Sequence, residues 1–200
     1  RYFDDFLAVS ERIDTTLNTD NLDSTYIARL EALMSPVPLE YNYEVRRAIE
    51  RFTAQAYATK MSYAYYYFPM IEEELIKADL PVELRAMAII ESALQATAVS
   101  RVGASGMWQF MPVTARAYGL EVNTMVDERF DPYKATVAAC KYMKDLYKMY
   151  NDWSLAIAAY NCGPGNVNKA LARTGGSPQS FWDVYWHLPR ETRGYVPAFI

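Results

Sequence analysis

The 200-residue sequence predicts an all-α protein with few or no short strands, and three observations carry that expectation. Apolar residues recur at helical spacing in several stretches, sustained period-two alternation is missing, and proline and glycine fall where helices start and stop. Hydrophobic residues make up 52% of the chain and charged residues 22%, the balance of a packed core rather than of a disordered tail. The length suits one such core.

From the N-terminus, residues 1–40 form a less regular lead-in. It is expected to be helical around Tyr2–Leu17 and Ser24–Met34, and Ser35-Pro36-Val37-Pro38 closes it. The main domain is placed at 41–200, where Val45, Ile49, Phe52 and Ala56 share one helical face. A tyrosine run follows at Tyr63 and Tyr65–Tyr67. Phe68-Pro69 and Leu80-Pro81 each set proline in a first helical turn, so Glu72–Glu74 and Glu83 put acid at the positive end of a helix dipole. The run Leu84 to Ile90 is almost wholly apolar and ends in Glu91-Ser92. A loop of small residues, Ser100 to Gly106, comes next, and Gly119 stops a further helix after Tyr118.

Asp131-Pro132 opens the longest periodic stretch, with Val137, Cys140, Met143, Tyr147 and Tyr150 on one face. Trp153, Ile157 and Tyr160 mark the next helix, and Asn151-Asp152 is too short a link for anything but an antiparallel hairpin. Cys140 lies eleven residues before Asn151 and Cys162 eleven after, so the two are level along such a hairpin. A Cys140–Cys162 disulfide is feasible on that register, and two separate buried thiols are equally open. Gly175-Gly176 stop a later helix after Thr174, and Pro197 to Ile200 read as a helix still continuing. That end, and a start at Arg1 with no methionine or signal-type segment, are read as those of a piece of a longer precursor.

Composition narrows the function classes. The net charge is −4 with both signs mixed, which gives no electrostatic reason to expect nucleic acid. No apolar run approaches transmembrane length. One histidine, His187, and two cysteines cannot assemble a zinc-type ligand set, so neither metal nor cofactor is expected. His187 sits among aromatics with no nucleophile motif near it and is read as a packing or surface residue.

Glu91 carries the chemistry. Apolar neighbours and the negative end of a helix dipole both disfavour its carboxylate and hold the proton on. A carboxylic acid still protonated near neutral pH is what protonation of a leaving glycosidic oxygen requires. Alone, such a position is more often that of a solvated surface residue. Three further blocks follow it: Gly106-Met107-Trp108-Gln109-Phe110-Met111-Pro112, Ala158-Ala159-Tyr160-Asn161-Cys162-Gly163, and Glu191-Thr192-Arg193-Gly194-Tyr195-Val196.

With Glu91-Ser92 these resemble, in order and at similar spacing, the signature blocks of the lytic transglycosylases related to the soluble lytic transglycosylase and goose-type lysozyme. The Tyr-rich lead-in and the form Gly-Met-Trp-Gln-Phe-Met-Pro are nearest to the membrane-bound D branch of that family. The resemblance runs from about Tyr41 to the last residue. It implies a lysozyme-like helical fold and cleavage of the β-1,4 bond between N-acetylmuramic acid and N-acetylglucosamine with formation of 1,6-anhydro ends. Glu91 would be the single acid and base.

By the same resemblance Ser100, Gln109 and Met111 lie along the saccharide groove, Tyr160 holds its hydroxyl near Glu91 or the substrate acetamido group, and Asn161 anchors that turn. Glu191 and Tyr195 line the same cleft. Without the blocks, Tyr160, Trp108, Trp182 and Trp186 would be read as core. The chain departs from the common pattern at Trp108, where methionine is frequent, and at Cys162, where alanine is, so a different subsite shape is expected near Trp108. Asp127, Glu128 and Asp131 are left as sources of a second carboxylate, which would make a goose-lysozyme-like hydrolase. A catalytically silent wall-binding module is the remaining alternative. The implied partner is peptidoglycan glycan, met by a monomer in the bacterial envelope, periplasmic or associated with the outer membrane, and whether wall-binding domains flank it is left open.

Overall fold

The computed structural model describes residues 19–53, 62–175 and 180–200. The expectations for Tyr2–Leu17, Ala56 and Gly176 lie outside the described residues. In chain order the helices are α1 (Thr19–Ala32), α2 (Tyr43–Phe52), α3 (Ser62–Lys77), α4 (Ala86–Ser92), α5 (Pro112–Ala117), α6 (Pro132–Tyr150), α7 (Trp153–Cys162), α8 (Pro164–Arg173), α9 (Phe181–Val184) and α10 (Arg190–Phe199). Short 3-10 turns at Val82–Arg85, Glu128–Phe130 and Tyr185–His187 join some of them. Among the described residues there is no strand, only isolated bridges at Val99–Ser105, Ser105–Phe110 and Val122–Asp127.

α6 and α7 form the expected antiparallel hairpin. Asn151 takes the left-handed conformation (φ 49°) that ends α6, and the Asp152 carboxylate caps α7 by accepting from Leu155 N at 2.7 Å. Every residue from Trp153 to Ala159 is buried, so α7 is enclosed on all sides rather than on one face. Small residues make that enclosure feasible, since Ser154, Ala156, Ala158 and Ala159 let α6, α8 and α10 approach closely. Leu84, Met87, Met107, Trp108, Met143, Leu146, Ile157 and Phe181 fill the core around it.

Proline misleads once. Pro69 lies inside α3 instead of opening a helix there, because burial of Ile71 and Leu75 holds the helix together through a residue that local propensity would use as a start. Glu72–Glu74 therefore sit past the middle of α3, where they pair with Arg85 and Lys77. α1 starts earlier than expected and is tied to α2 by Asp23, which accepts from Tyr41 Oη at 2.6 Å and from Arg46 Nη1 at 3.1 Å.

Candidate active site

α4 is seven residues long, and its termination fixes where Glu91 points. Ala93 and Leu94 both adopt left-handed φ (52° and 63°), and their amides fold back onto Ile89 O (2.7 Å) and Ala88 O (3.2 Å). Leu94 is buried and anchors the reversal. Met87 and Ala88 face the core, while Ile89 and Ile90 line an open cleft of about 1290 Å³ together with Glu91. That volume exceeds the usual range for a small-molecule pocket and suits a length of polymer.

Glu91 is half-buried, and its Oε1 accepts from Tyr195 Oη at 2.6 Å. Burial raises its pKa from the ordinary 4.5 to about 7; the Tyr195 bond opposes that rise, and the neighbouring Glu191 charge adds to it. Burial, and the Glu91 carboxyl after it, push the phenols of Tyr195 and Tyr160 well up, so both remain neutral donors.

The loop beside Glu91 is held by interactions that no short motif announces. Ser92 Oγ donates to Met107 O at 2.8 Å, stapling the end of α4 to the Gly-Met-Trp-Gln block. Gly106 (φ 81°) has no room for a side chain, since a Cβ there would stand 1.7 Å from Arg129 O. Arg129 is buried and donates through Nη1 to Gly103 O (2.8 Å) and Phe110 O (3.0 Å), while Nε and Nη2 form a bidentate pair with Asp127 (2.9 and 2.6 Å).

Asp127, Glu128 and Asp131 do not supply the second carboxylate that the alternative reading left open. The Arg129 side chain holds the Asp127 carboxyl below its usual range. The Glu121 amide and Lys134 do the same for Glu128, and Asp131 caps α6 by accepting from Lys134 N. None of the three lines the cleft. Each is committed to holding the loop or starting a helix.

All eight residues singled out in the sequence reach this one cleft: Glu91, Ser100, Gln109, Met111, Tyr160, Asn161, Glu191 and Tyr195. Gln109 has a left-handed backbone (φ 49°), and its Nε2 donates to Gly106 O (2.8 Å) and Ala98 O (3.3 Å), leaving the amide oxygen for a ligand. Ser100 Oγ accepts from Ala104 N at 3.0 Å, which leaves its proton available. Met111 is exposed at the start of α5. Tyr160 Oη donates to Trp108 O at 2.9 Å rather than to Glu91; the hydroxyl that meets Glu91 is that of Tyr195. Asn161 Oδ1 accepts from the buried Thr192 at 2.8 Å, tying the end of α7 to α10.

The Trp108 indole is buried, with Nε1 donating to Thr136 Oγ1 at 2.9 Å, so it packs in the core, as its residue type alone suggested. Trp186 and His187 are exposed. Sequence reading missed the roles of Ser92, Thr192, Asp127 and Arg129, and missed Arg51 and Arg190, which also line the cleft. Ser92 and Thr192 stand inside the quoted blocks, and for the clamp the reach of Asp127 to Arg129, two residues apart, was a local signal.

Both cysteines are free thiols, so the disulfide alternative gives way to two separate thiols. The hairpin register is as expected, but the two side chains meet different neighbours. Cys140 is buried with Glu74 near it, while Cys162, at the end of α7, lies by Thr192 and Gly163. Burial pushes the Cys140 thiol up to about 12, which leaves it unreactive, and it also raises that of Cys162, which lines the cleft.

Residues 68–182 match the family model described as the Transglycosylase SLT domain. The chain is 39% identical over 137 residues to membrane-bound lytic murein transglycosylase D of Escherichia coli (strain K12), an alignment covering 67% of this chain and 30% of that protein. It is 32% identical over 141 residues to the soluble lytic murein transglycosylase of the same strain, covering 64% and 22%. The chain thus spans less than a third of the length of either relative. The crystal structure of the 70 kDa soluble lytic transglycosylase of Escherichia coli superposes with a TM-score of 0.60 at 24% identity, over 78% of this chain and 26% of that one, and shares the fold.

Proposed function

Because the chain belongs to the Transglycosylase SLT domain family, we propose that it is a peptidoglycan lytic transglycosylase in which Glu91 is the single acid and base. One observation carries the reading. The Glu91 carboxyl has a pKa of about 7, in a cleft large enough for a glycan strand, so near neutral pH both its acid and its carboxylate forms are populated and it can lose and regain the proton.

A strand of alternating N-acetylglucosamine and N-acetylmuramic acid lies in the cleft with its scissile oxygen at Glu91. Protonated Glu91 donates to the glycosidic oxygen as positive charge develops at the muramyl anomeric carbon. The muramyl acetamido oxygen closes on that carbon in place of an enzymatic nucleophile. Glu91, now a carboxylate, takes the proton of the 6-hydroxyl, whose oxygen attacks the same carbon and displaces the acetamido oxygen. The product carries a 1,6-anhydro bridge, the acid is reset, and no water is consumed.

Tyr195 steadies the carboxylate in the interval between the two proton transfers, since its bond favours the charged form. Ser100 and the Gln109 amide oxygen take polar sugar groups, and Met111 offers an apolar edge at the cleft mouth. Tyr160 and Asn161 hold the far wall through Trp108 and Thr192. Glu191 keeps the Glu91 proton on by its charge. The relatives' names place such enzymes at the murein, and we assign this chain to the bacterial envelope on that ground. No helix among the described residues is long and apolar enough to cross a membrane.

Glu91→Gln removes the transferable proton and keeps the shape, so muropeptide release should fall by about a hundredfold or more while glycan binding persists. Near-wild-type release by that variant would remove Glu91 from the mechanism.

A further inference from the structure

Among the described residues, four charged side chains line the cleft: Glu91, Glu191, Arg51 and Arg190. The acids have a place in the proton transfers, but the arginines do not. Arg51 comes from the last turn of α2 and Arg190 is the first residue of α10, two helices that pack against each other. Both lie outside the stretch matched by the family model.

The same two helices supply arginines whose partners are clear. Arg46 pairs with Asp23 and Glu50, Arg47 with Glu44, and Arg193 stands over the rings of Tyr185 and Trp186. Arg51 and Arg190, the two that face the cleft, have no ion-pair partner among the described residues. Arg190 also sits at the positive end of the α10 dipole, where a cation is locally unfavourable and an acid is the usual choice. A departure from a local rule at the edge of a site is where function is to be sought.

The sugar chain gives an arginine nothing to pair with, because its hydroxyl and acetamido groups are neutral. The muramyl lactyl carboxyl is itself consumed in an amide to the stem peptide. The anions of this polymer are the free carboxylates of that peptide, which branches from the sugar next to the scissile bond. Guanidinium matches carboxylate in charge and in its two-pronged geometry. Both arginines are exposed, as a contact to a branch leaving the groove requires.

We propose that Arg51 and Arg190 form a carboxylate subsite for the stem peptide, so that the enzyme selects peptide-bearing, free-acid strands. This rests on the transglycosylase reading of the cleft. The test uses one peptide-bearing glycan in two forms, with its peptide carboxylates free or converted to amides. Wild-type kcat/KM should favour the free-acid form by about threefold to tenfold, as solvent-exposed ion pairs allow. The preference should lie in KM and should shrink as salt is added. In Arg51→Gln/Arg190→Gln the ratio between the two forms should fall to near one. A wild-type enzyme blind to amidation, or a ratio that survives in the double variant, overturns the subsite.

Calorimetric binding of the same two glycans to Glu91→Gln protein reads the subsite without chemistry. Discrimination in binding with no turnover of either glycan by the wild type would sink the transglycosylase reading and uphold the subsite. Turnover of both without discrimination would sink the subsite alone.

Discussion

At Glu91 burial and the Glu191 charge oppose the Tyr195 bond, and their sum sets the working range of the acid. Burial disfavours the carboxylate and dominates; the Tyr195 hydroxyl, 2.6 Å away, favours it. Activity that depends on the protonated acid should therefore fall as pH rises through about 7. Tyr195→Phe removes the influence that lowers the pKa, so the alkaline limb of its pH–rate profile should move to higher pH while its peak rate drops. A limb that stays in place or moves down would show that Tyr195 does not act on Glu91. Glu91 was legible in the sequence because the apolar run before it and the small-residue loop after it are local, and because three further blocks follow it in order. Tyr195 could be placed in the cleft by its block, but its bond to Glu91 could not, because 104 residues separate the pair and only the packing of α10 brings them together. Tyr160 shows the same limit from the other side: its block pointed to the site, and packing gave its hydroxyl to the Trp108 carbonyl.

The loop from Ala98 to Phe110 behaves as one element clamped by Arg129. Gly106 is the position where substitution tests this most cleanly, since an added Cβ would meet the Arg129 carbonyl at 1.7 Å and φ is left-handed. Gly106→Ala should cost about 2 kcal/mol of stability or more, read as a fall in denaturation midpoint. Gly165→Ala, in α8 with open space around it and no left-handed φ, should be neutral or slightly stabilising. Equal effects at the two glycines would mean that the loop does not need its close approach to Arg129. The composition of this loop was legible, but its clamp was not, because Arg129 reaches back across 26 and 19 residues to the carbonyls it holds. Helix ends divided in the same way. Asn151-Asp152 and Asp131-Pro132 encode their boundaries in residues whose own backbone and side chains make the caps. Pro69 does not, because the burial of Ile71 and Leu75 beyond it overrides it.

For the whole molecule, the site is maintained against stability. The folded pKa of Glu91, about 7, lies above its ordinary 4.5, so the folded state binds this proton more tightly than the unfolded chain does. The contribution is fully present below pH 4.5 and is lost as pH rises through about 7, to a total on the order of 3 kcal/mol. Glu91→Gln carries no such penalty and keeps an acceptor for Tyr195. It should exceed the wild type in denaturation midpoint above pH 7, with the gap closing toward pH 4.5. A gap that is independent of pH would contradict the raised pKa.

Cleavage by one carboxyl without water remains the central claim, and the products of purified wall sacculi test it most directly. Mass analysis of the released muropeptides should find muramyl ends carrying the 1,6-anhydro bridge, each lighter by one water than the hydrolytic product. Reducing muramyl ends in their place would make the enzyme a hydrolase and contradict the single-acid mechanism.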